Sequence, residues 1–288
     1  MKKLLGILCT FAIAVVSLFG VFGFAGCGDE DAIVVYTEAG FAPFEYIKDG
    51  KIVGVDVDIM NKVGDKLGKK VKFKNVNFDL IVDAVSAGKK CNVGAAGISI
   101  TDARKEKVAF SSEYYTANLY VIYEKDNAST YESTTTDDVT GVYWDSLAGK
   151  KIAVQTGTTA DLFLGDEISE GGTIYNTGAS TVYFDDLAAA VTSIGGKSDV
   201  LIIDELPAQK LIEGKSNLTC APLYYQGEEG EDGEPAVDEA AVDVYAICVT
   251  KGQDELLAAI NAVLAELKAE DHDGVDGIQY LVNKHLGF

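Results

Sequence analysis

Short apolar runs alternate with segments of helical periodicity along most of the chain. Residues 32–37 form a Val-rich run typical of a buried strand, whereas 56–67 carries apolar residues at helical spacing. By the same criteria, strands are expected at 71–76, 92–98, 151–155 and 200–203, and helices at 78–87, 158–164, 184–194 and 206–212. The alternation predicts an α/β fold built from βαβ units around a mainly parallel sheet.

The second half of the chain repeats the scheme of the first. Residues 78–89 and 184–197 both read as a helix that ends at Gly-Lys and leads into a buried strand. This weak internal symmetry predicts two lobes of related architecture.

Two stretches without periodicity are expected to be surface loops. Residues 126–140 are rich in Ser, Thr and Asp, and 227–240 contains seven acids and no base. The acidic stretch lacks the EF-hand pattern, as does 271–274, which reads as a turn between the last two helices. Because both histidines, His272 and His285, lie in the last segment, we expect no histidine-based metal site.

Composition limits the classes of function. The chain has 288 residues, 48% of them hydrophobic, which supplies a core large enough to exclude global disorder. Its net charge of −21 repels phosphate backbones and argues against nucleic-acid binding.

The N-terminus predicts export. Lys2 and Lys3 precede an uncharged stretch, 4–26, that ends in Phe-Ala-Gly before Cys27. This end resembles a bacterial lipobox with Phe24 in place of the usual Leu, so we expect a signal peptide at 1–26 and a lipid on Cys27. An uncleaved membrane anchor is the alternative, since the stretch would span roughly 35 Å as a helix.

The remaining cysteines do not suggest a disulfide framework. Cys91, Cys220 and Cys248 are odd in number. Cys220 and Cys248 both lie in strand-like runs and could pair, but three small buried thiols are the preferred interpretation.

Two strand–helix junctions carry residues suited to an anion. After the first, Ser99 offers a hydroxyl, Thr101 a helix cap and Arg104 a two-donor fork, a set that suits a carboxylate. An ordinary capped helix with a surface arginine is the alternative. The second junction, 154–161, has hydroxyl residues at a helix start and lacks the Gly-Lys-Ser/Thr ending of a phosphate loop.

Other strand ends offer an acid and an aromatic wall. Asp204 ends a buried strand, where it could hold an ammonium group or simply cap the next helix. Phe41 and Phe44 follow the first strand, and these rings and Phe78 could line a pocket or belong to the core.

A set of motifs now identifies a resemblance. In order, these are Phe41-x-Pro-Phe-Glu-Tyr, Gly54-Val55-Asp56-Val57-Asp58, Gly97-Ile98-Ser99-Ile100-Thr101-x-x-Arg104, Phe110-Ser111-x-x-Tyr114-Tyr115, Gln155-x-Gly-Thr-Thr and Asp204-x-x-Pro207. Over roughly residues 32–288, the chain resembles the polar amino-acid family of bacterial extracellular solute-binding proteins.

The resemblance implies the type II periplasmic-binding-protein fold. Two Rossmann-like lobes would be joined by two hinge crossings, near 120–125 and 242–247. Lobe 1 would then comprise 27–122 and 245–288, and lobe 2 would comprise 123–244.

The resemblance also implies function and partners. The protein would be the extracytoplasmic substrate-binding component of an amino-acid ABC importer, a monomer that delivers a free amino acid to a permease. The membrane would hold it through lipidated Cys27, without cofactor, metal, catalytic residue or nucleic acid. Two alternatives stay open: an enzyme of similar fold, of the cyclohexadienyl or prephenate dehydratase type, and an extracellular amino-acid sensor. A sensor would continue into a membrane span and a signalling domain.

The family pattern assigns roles to particular residues. Arg104 would bind the ligand α-carboxylate with help from Ser99 and the Thr159 N–H group. Asp204 would hold the α-ammonium together with the Gly97 carbonyl and the Ser99 hydroxyl. Phe41 and Phe78 would sandwich the ligand side chain. Glu38 and Gln155 would lie where the family varies its selectivity for that side chain. Because Arg104 and Asp204 belong to different lobes, a bound zwitterion would stabilise the closed state.

Overall fold

The computed structural model describes residues 32–227 and 236–288. The predicted signal peptide at 1–26, the lipidation site Cys27 and most of the acidic stretch lie outside the described residues. Among the helices of the described ranges, none is both long and apolar enough to cross a membrane.

The described chain alternates strands and helices. The strands are β1 (Ile33–Thr37), β2 (Gly40–Phe41), β3 (Glu45–Lys48), β4 (Lys51–Val53), β5 (Val71–Asn75), β6 (Val93–Gly94), β7 (Ala109–Phe110), β8 (Tyr115–Glu124), β9 (Glu132–Thr134), β10 (Thr140–Tyr143), β11 (Lys151–Gln155), β12 (Ser180–Phe184), β13 (Val200–Asp204), β14 (Leu218–Tyr225), β15 (Glu239–Ala240), β16 (Val242–Tyr245) and β17 (Cys248–Val249). The helices are α1 (Val55–Leu67), α2 (Ile81–Ala87), α3 (Asp102–Lys107), α4 (Ala128–Tyr131), α5 (Thr159–Ile168), α6 (Leu187–Thr192), α7 (Glu205–Ile212), α8 (Asp254–Ala269) and α9 (Gly277–Leu286). Short 3₁₀ turns cover Phe78–Leu80, Lys125–Asn127 and Trp144–Leu147.

The strands form two main sheets, one in each lobe. The first has the order β5-β1-β6-β17-β7, and the second runs β12-β11-β13-β8-β14-β10-β9. The sheets are mixed rather than mainly parallel. β5-β1-β6 and β12-β11-β13 are parallel, whereas β17 and β8 run antiparallel to their neighbours because the chain returns through them from one lobe to the other. The two parallel trios share one strand order, which matches the predicted relation between the halves.

The segments that join the lobes are paired with each other. Residues 115–118 of β8 pair antiparallel with β16 over four residue pairs, and we call these two segments the connecting ribbon. The first crossing therefore lies before the predicted range 120–125, because Tyr120 already pairs with Ile203 in the second sheet. The second predicted range, 242–247, contains β16.

The helices cover the sheets with their apolar faces. In α1 the buried side chains include Val55, Ile59 and Val63, at the spacing that places them on one face. Gly68 ends this helix in the left-handed conformation, at φ 66°. Burying each such side chain contributes roughly 1.5–3 kcal/mol.

Two predicted element boundaries need correction. The expected helix at 184–194 begins only at Leu187, because Phe184 ends β12 and Asp186 caps the helix by accepting from the Ala189 N–H. The expected strand at 92–98 is confined to Val93–Gly94. In both stretches apolar residues continue through a short turn, so hydrophobic periodicity alone does not locate the end of the strand or helix.

The predicted loop at 126–140 is also structured. It contains α4 and β9, and Tyr131 is buried with its ring centroid 5.1 Å from that of Tyr123. One buried aromatic residue anchors a segment that has no apolar period.

The described part of the acidic stretch is not wholly solvated either. Asp238 is buried and accepts hydrogen bonds from the backbone N–H groups of Thr136 and Gly227, at 2.7 and 3.0 Å. The expected turn at 271–274 is present between α8 and α9. Cys91, Cys220 and Cys248 are free thiols, so the Cys220–Cys248 pairing is not formed.

Candidate functional site

The lobes enclose a cleft at the carboxyl ends of β1 and β13, where open α/β sheets usually bind ligands. Its cavity volume is about 20 Å³, room for the centre of about one water molecule, so the walls of the cleft lie close together. The residues that line it are Glu38, Phe41, Glu45, Phe78, Ala96, Gly97, Ser99, Gln155, Thr158, Thr159, Asp204 and Asp243. Four of these described lining residues are acids and none is Lys, Arg or His.

Glu38 follows β1 and faces the cleft rather than solvent. Burial raises the pKa of its carboxyl to about 7, although Gln155 and the Gly40 N–H act to lower it. Gln155 also donates its amide to the Asp185 carbonyl at 3.1 Å, which fixes its orientation. The two predicted selectivity residues, Glu38 and Gln155, therefore lie side by side, one from each lobe.

Two buried acids, Glu45 and Asp56, lie close together, with Glu45 in the lining of the cleft and Asp56 behind it. Glu45 is fully buried, and burial, followed by the neighbouring Asp56 charge, raises its pKa well above the ordinary value. Burial also raises the pKa of Asp56 to about 6, although it accepts hydrogen bonds from the Tyr114 hydroxyl at 2.5 Å and the Gly97 N–H at 3.1 Å. The sequence motif contained Glu45, but no role was predicted for it.

Asp204 ends β13 as predicted. It precedes α7, yet its side chain makes no capping hydrogen bond, so the plain helix-cap interpretation is not supported. Burial, and next the nearby Asp243 charge, raise the pKa of Asp204 well above its ordinary value. The carboxyl is thus available to a donor that enters the cleft.

The aromatic wall depends on one glycine. Gly97 has φ 53°, and a Cβ there would lie 2.8 Å from Cε1 of Phe41, so only glycine permits this approach. Phe41 is buried and Phe78 half-buried, and both line the cleft as predicted.

Arg104 is buried beside the cleft but does not line it. It donates from Nη1 to the Ser99 carbonyl at 2.6 Å and from Nη2 to the Gly157 carbonyl at 2.9 Å. Its Cζ lies 5.5 Å from the Phe78 ring centroid. Thr101 caps α3 by accepting from the Arg104 N–H, as predicted, but the surface-arginine alternative is excluded by burial.

A hydroxyl cluster joins the two lobes at the anion-binding end of the cleft. The Ser99 and Thr159 hydroxyls are 3.2 Å apart, and Thr159 also donates to the Asp243 carboxylate. Asp243 lies on β16 and was missed in the sequence, although an acid on the buried face of a predicted crossing was a usable signal.

The described residues contain no group of three or more His, Cys, Asp or Glu side chains that could hold a metal ion. The cleft can bind a ligand through hydrogen bonds and charged groups. Its acids can hold cationic groups, and its hydroxyls and helix start can hold an anion.

Comparison with known proteins agrees with this geometry. The lysine/arginine/ornithine-binding periplasmic protein of Escherichia coli strain K12 is 27% identical over 244 residues, covering 83% of this chain and 84% of the relative. The L-cystine-binding protein TcyJ of the same organism is 24% identical and covers 93% of this chain and 91% of its own. The L-arginine-bound substrate-binding protein AbpA of Streptococcus pneumoniae superposes with a TM-score of 0.70 at 26% identity, covering 89% of this chain and 94% of that chain.

The family model for bacterial extracellular solute-binding proteins, family 3, matches residues 33–273. This range includes both main sheets, the connecting ribbon and every lining residue of the cleft. The chain therefore belongs to family 3 of the bacterial extracellular solute-binding proteins.

Proposed function

We propose that the protein is the substrate-binding component of an amino-acid ABC importer and that its ligand is an amino acid with a cationic side chain. One observation carries the choice of ligand. Glu38, Glu45 and Asp204 all line the cleft, and each has at least one buried carboxyl oxygen without a hydrogen-bond donor from the described residues. Buried carboxyl groups are costly without such partners, so the cleft requires donors from its ligand.

A cationic amino acid supplies two sets of donors. Its α-ammonium suits Asp204 at the end of β13, and its side-chain cation suits Glu38 and Glu45 in the other lobe. Phe41 and Phe78 cover the aliphatic part of the side chain. Both the lysine/arginine/ornithine-binding relative and the arginine-bound structure are consistent with this assignment. The ligand of the cystine-binding relative has no net charge, because its second ammonium is accompanied by a second carboxylate.

The α-carboxylate needs the opposite kind of partner. We assign it to Ser99 and Thr159, with Arg104 behind them. The Arg104 guanidinium donates to backbone carbonyls of both lobes. Entry of the carboxylate would require the fork to turn or to share its donors.

Replacement of Glu38 by glutamine tests the ligand class. By calorimetry, we expect the wild type to bind arginine or lysine more tightly than glutamine or glutamate. Glu38→Gln should weaken binding of the cationic ligands by about 2–5 kcal/mol, because a desolvated charge loses its partner, and should change glutamine binding little. Arginine affinity should also fall roughly tenfold from pH 8 to pH 6 in the wild type, because Glu38, with a pKa of about 7, must be ionised to pair.

The matched control is Glu106→Gln, which changes an exposed acid outside the cleft. It should leave every affinity unchanged. The Glu38→Gln variant should show a shallower pH dependence, with the remaining slope due to Glu45 and Asp204. If the wild type prefers glutamate or glutamine to arginine and lysine, the cationic assignment is wrong.

We further propose that the protein is a lipoprotein, with the lipid on Cys27 and the lobes outside the cytoplasm. The family is extracellular, and the Phe-Ala-Gly-Cys end of the apolar stretch supports the anchor. Cys27→Ser should abolish metabolic labelling by a radioactive fatty acid and leave the precursor uncleaved, as read by its size on a gel. Labelling that persists in the variant would contradict the proposal.

A further inference from the structure

Asp243 differs from the other three acids of the cleft. It is buried, and both of its carboxyl oxygens accept hydrogen bonds from the chain itself. One oxygen accepts from the Thr159 hydroxyl and the other from the Val244 N–H group at 3.0 Å. Glu38, Glu45 and Asp204 each have at least one buried oxygen without a donor from the described residues, whereas both oxygens of Asp243 accept a hydrogen bond.

The donor that Asp243 uses belongs to the anion-binding end of the cleft. Thr159 is the first residue of α5, a helix of ten residues whose N-terminus favours negative charge. Its hydroxyl lies 3.2 Å from that of Ser99, and the Ser99 carbonyl in turn holds Arg104 at 2.6 Å. These groups are the ones assigned above to the ligand α-carboxylate.

We propose that Asp243 is an internal competitor of the ligand: its carboxylate holds the Thr159 hydroxyl, which a ligand α-carboxylate would need, and so lowers the affinity for amino acids. The inference rests on the proposed function, since it requires a ligand with an α-carboxylate. Two carboxylates at one desolvated donor repel each other, so the ligand must displace the Asp243 carboxylate or bind beside its charge. Asp243 thereby sets both the affinity and the preference between amino acids and amines.

The position of Asp243 on β16 makes this competition part of closure. β16 belongs to the connecting ribbon, whereas Thr159 begins a helix of the second lobe and Ser99 follows a strand of the first. The Asp243–Thr159 hydrogen bond therefore joins the second lobe to the ribbon.

If Asp243 bound the ligand instead of competing with it, its removal would change the affinity in the opposite direction. If Asp243 instead bound the ligand ammonium beside Asp204, its removal would weaken binding. If Asp243 competes with the carboxylate, its removal strengthens binding, and only for ligands that have a carboxylate. Agmatine, which is arginine without its carboxyl group, separates these two cases.

The experiment compares the purified full-length wild type with Asp243→Asn, using arginine and agmatine in titration calorimetry. Asparagine keeps the shape and can still accept from Thr159, but it carries no charge. We expect the Kd for arginine to fall at least tenfold, and the Kd for agmatine to stay the same or rise. Asp204→Asn, in contrast, should raise the Kd for both ligands.

Asp243→Ser provides a second variant, and a melting curve for each protein verifies that it is folded. An unchanged or raised arginine Kd in both folded variants would overturn the inference while the proposed function stands. An equal fold-change in Kd for arginine and agmatine would also overturn it, because the effect of the substitution would then not depend on the ligand carboxylate. If the wild type binds no amino acid at all, the proposed function fails and the inference fails with it.

Discussion

Replacing Asp204 with asparagine is expected to weaken amino-acid binding and, at the same time, to stabilise the ligand-free protein. Binding should lose about 2–5 kcal/mol, or roughly 30- to 4,000-fold in Kd, because the α-ammonium loses a desolvated anionic partner. Stability should rise because the Asp204 carboxyl is buried and one of its oxygens has no donor among the described residues.

The sign of the stability change follows from the raised pKa of Asp204. The native state holds this proton more tightly than the unfolded state. The carboxyl therefore destabilises the fold increasingly as the pH rises above the ordinary pKa of an aspartate. Removing the charge should raise the free energy of unfolding at pH 7 by on the order of 1 kcal/mol, or about 2–4 °C in Tm.

Calorimetry and thermal melts of the ligand-free protein at pH 5 and pH 7 test both parts. The difference in Tm between variant and wild type should be larger at pH 7. Asp102→Asn, in which the side chain is 99% exposed, is the control and should move neither quantity. A variant that binds like the wild type would remove Asp204 from the ligand site.

Replacing Arg104 with alanine should have an effect of similar size on binding. Arg104 is the only arginine among the 24 basic residues of the chain, and its two Nη groups bond carbonyls of Ser99 and Gly157, in different lobes. We expect a loss of about 2–5 kcal/mol in amino-acid affinity, because the α-carboxylate and the closed form both lose a desolvated cation.

Arg104→Lys should recover only part of the loss. A single ammonium cannot direct donors along both arms of the planar fork. Lys105→Ala changes the next residue, which is exposed and forms an ion pair with the exposed Asp102, and should leave the calorimetric Kd unchanged. Wild-type affinity in Arg104→Ala would mean that Arg104 is structural.

Much of the fold was predictable because it depends on local patterns. The periodicity of α1 and the strand–helix junctions before α5 and α7 are set by residues close in sequence, and the structure places these elements within two residues of the predicted starts. The strand ends then bring Glu38 and Asp204 to one cleft, because each sheet binds ligands at the carboxyl ends of its parallel strands and these ends of the two sheets face each other.

The rest depends on contacts distant in sequence. Asp243 reaches Thr159 only because β16 pairs with β8, a register that no local pattern specifies. The side-chain rotamer of Arg104 is fixed by its hydrogen bonds to the Ser99 and Gly157 carbonyls, which lie in different parts of the sequence. Tyr131 orders its segment by packing on Tyr123, which periodicity within 126–140 cannot reveal.

The connecting ribbon limits how the lobes can move. Its two strands are joined by four successive residue pairs, so they cannot slide past one another without losing the pairings together and inverting which side chains face inward. A paired ribbon can still bend and twist as one unit. Closure must therefore deform the ribbon as one unit, and the register between its two strands is the same through every cycle of capture and release.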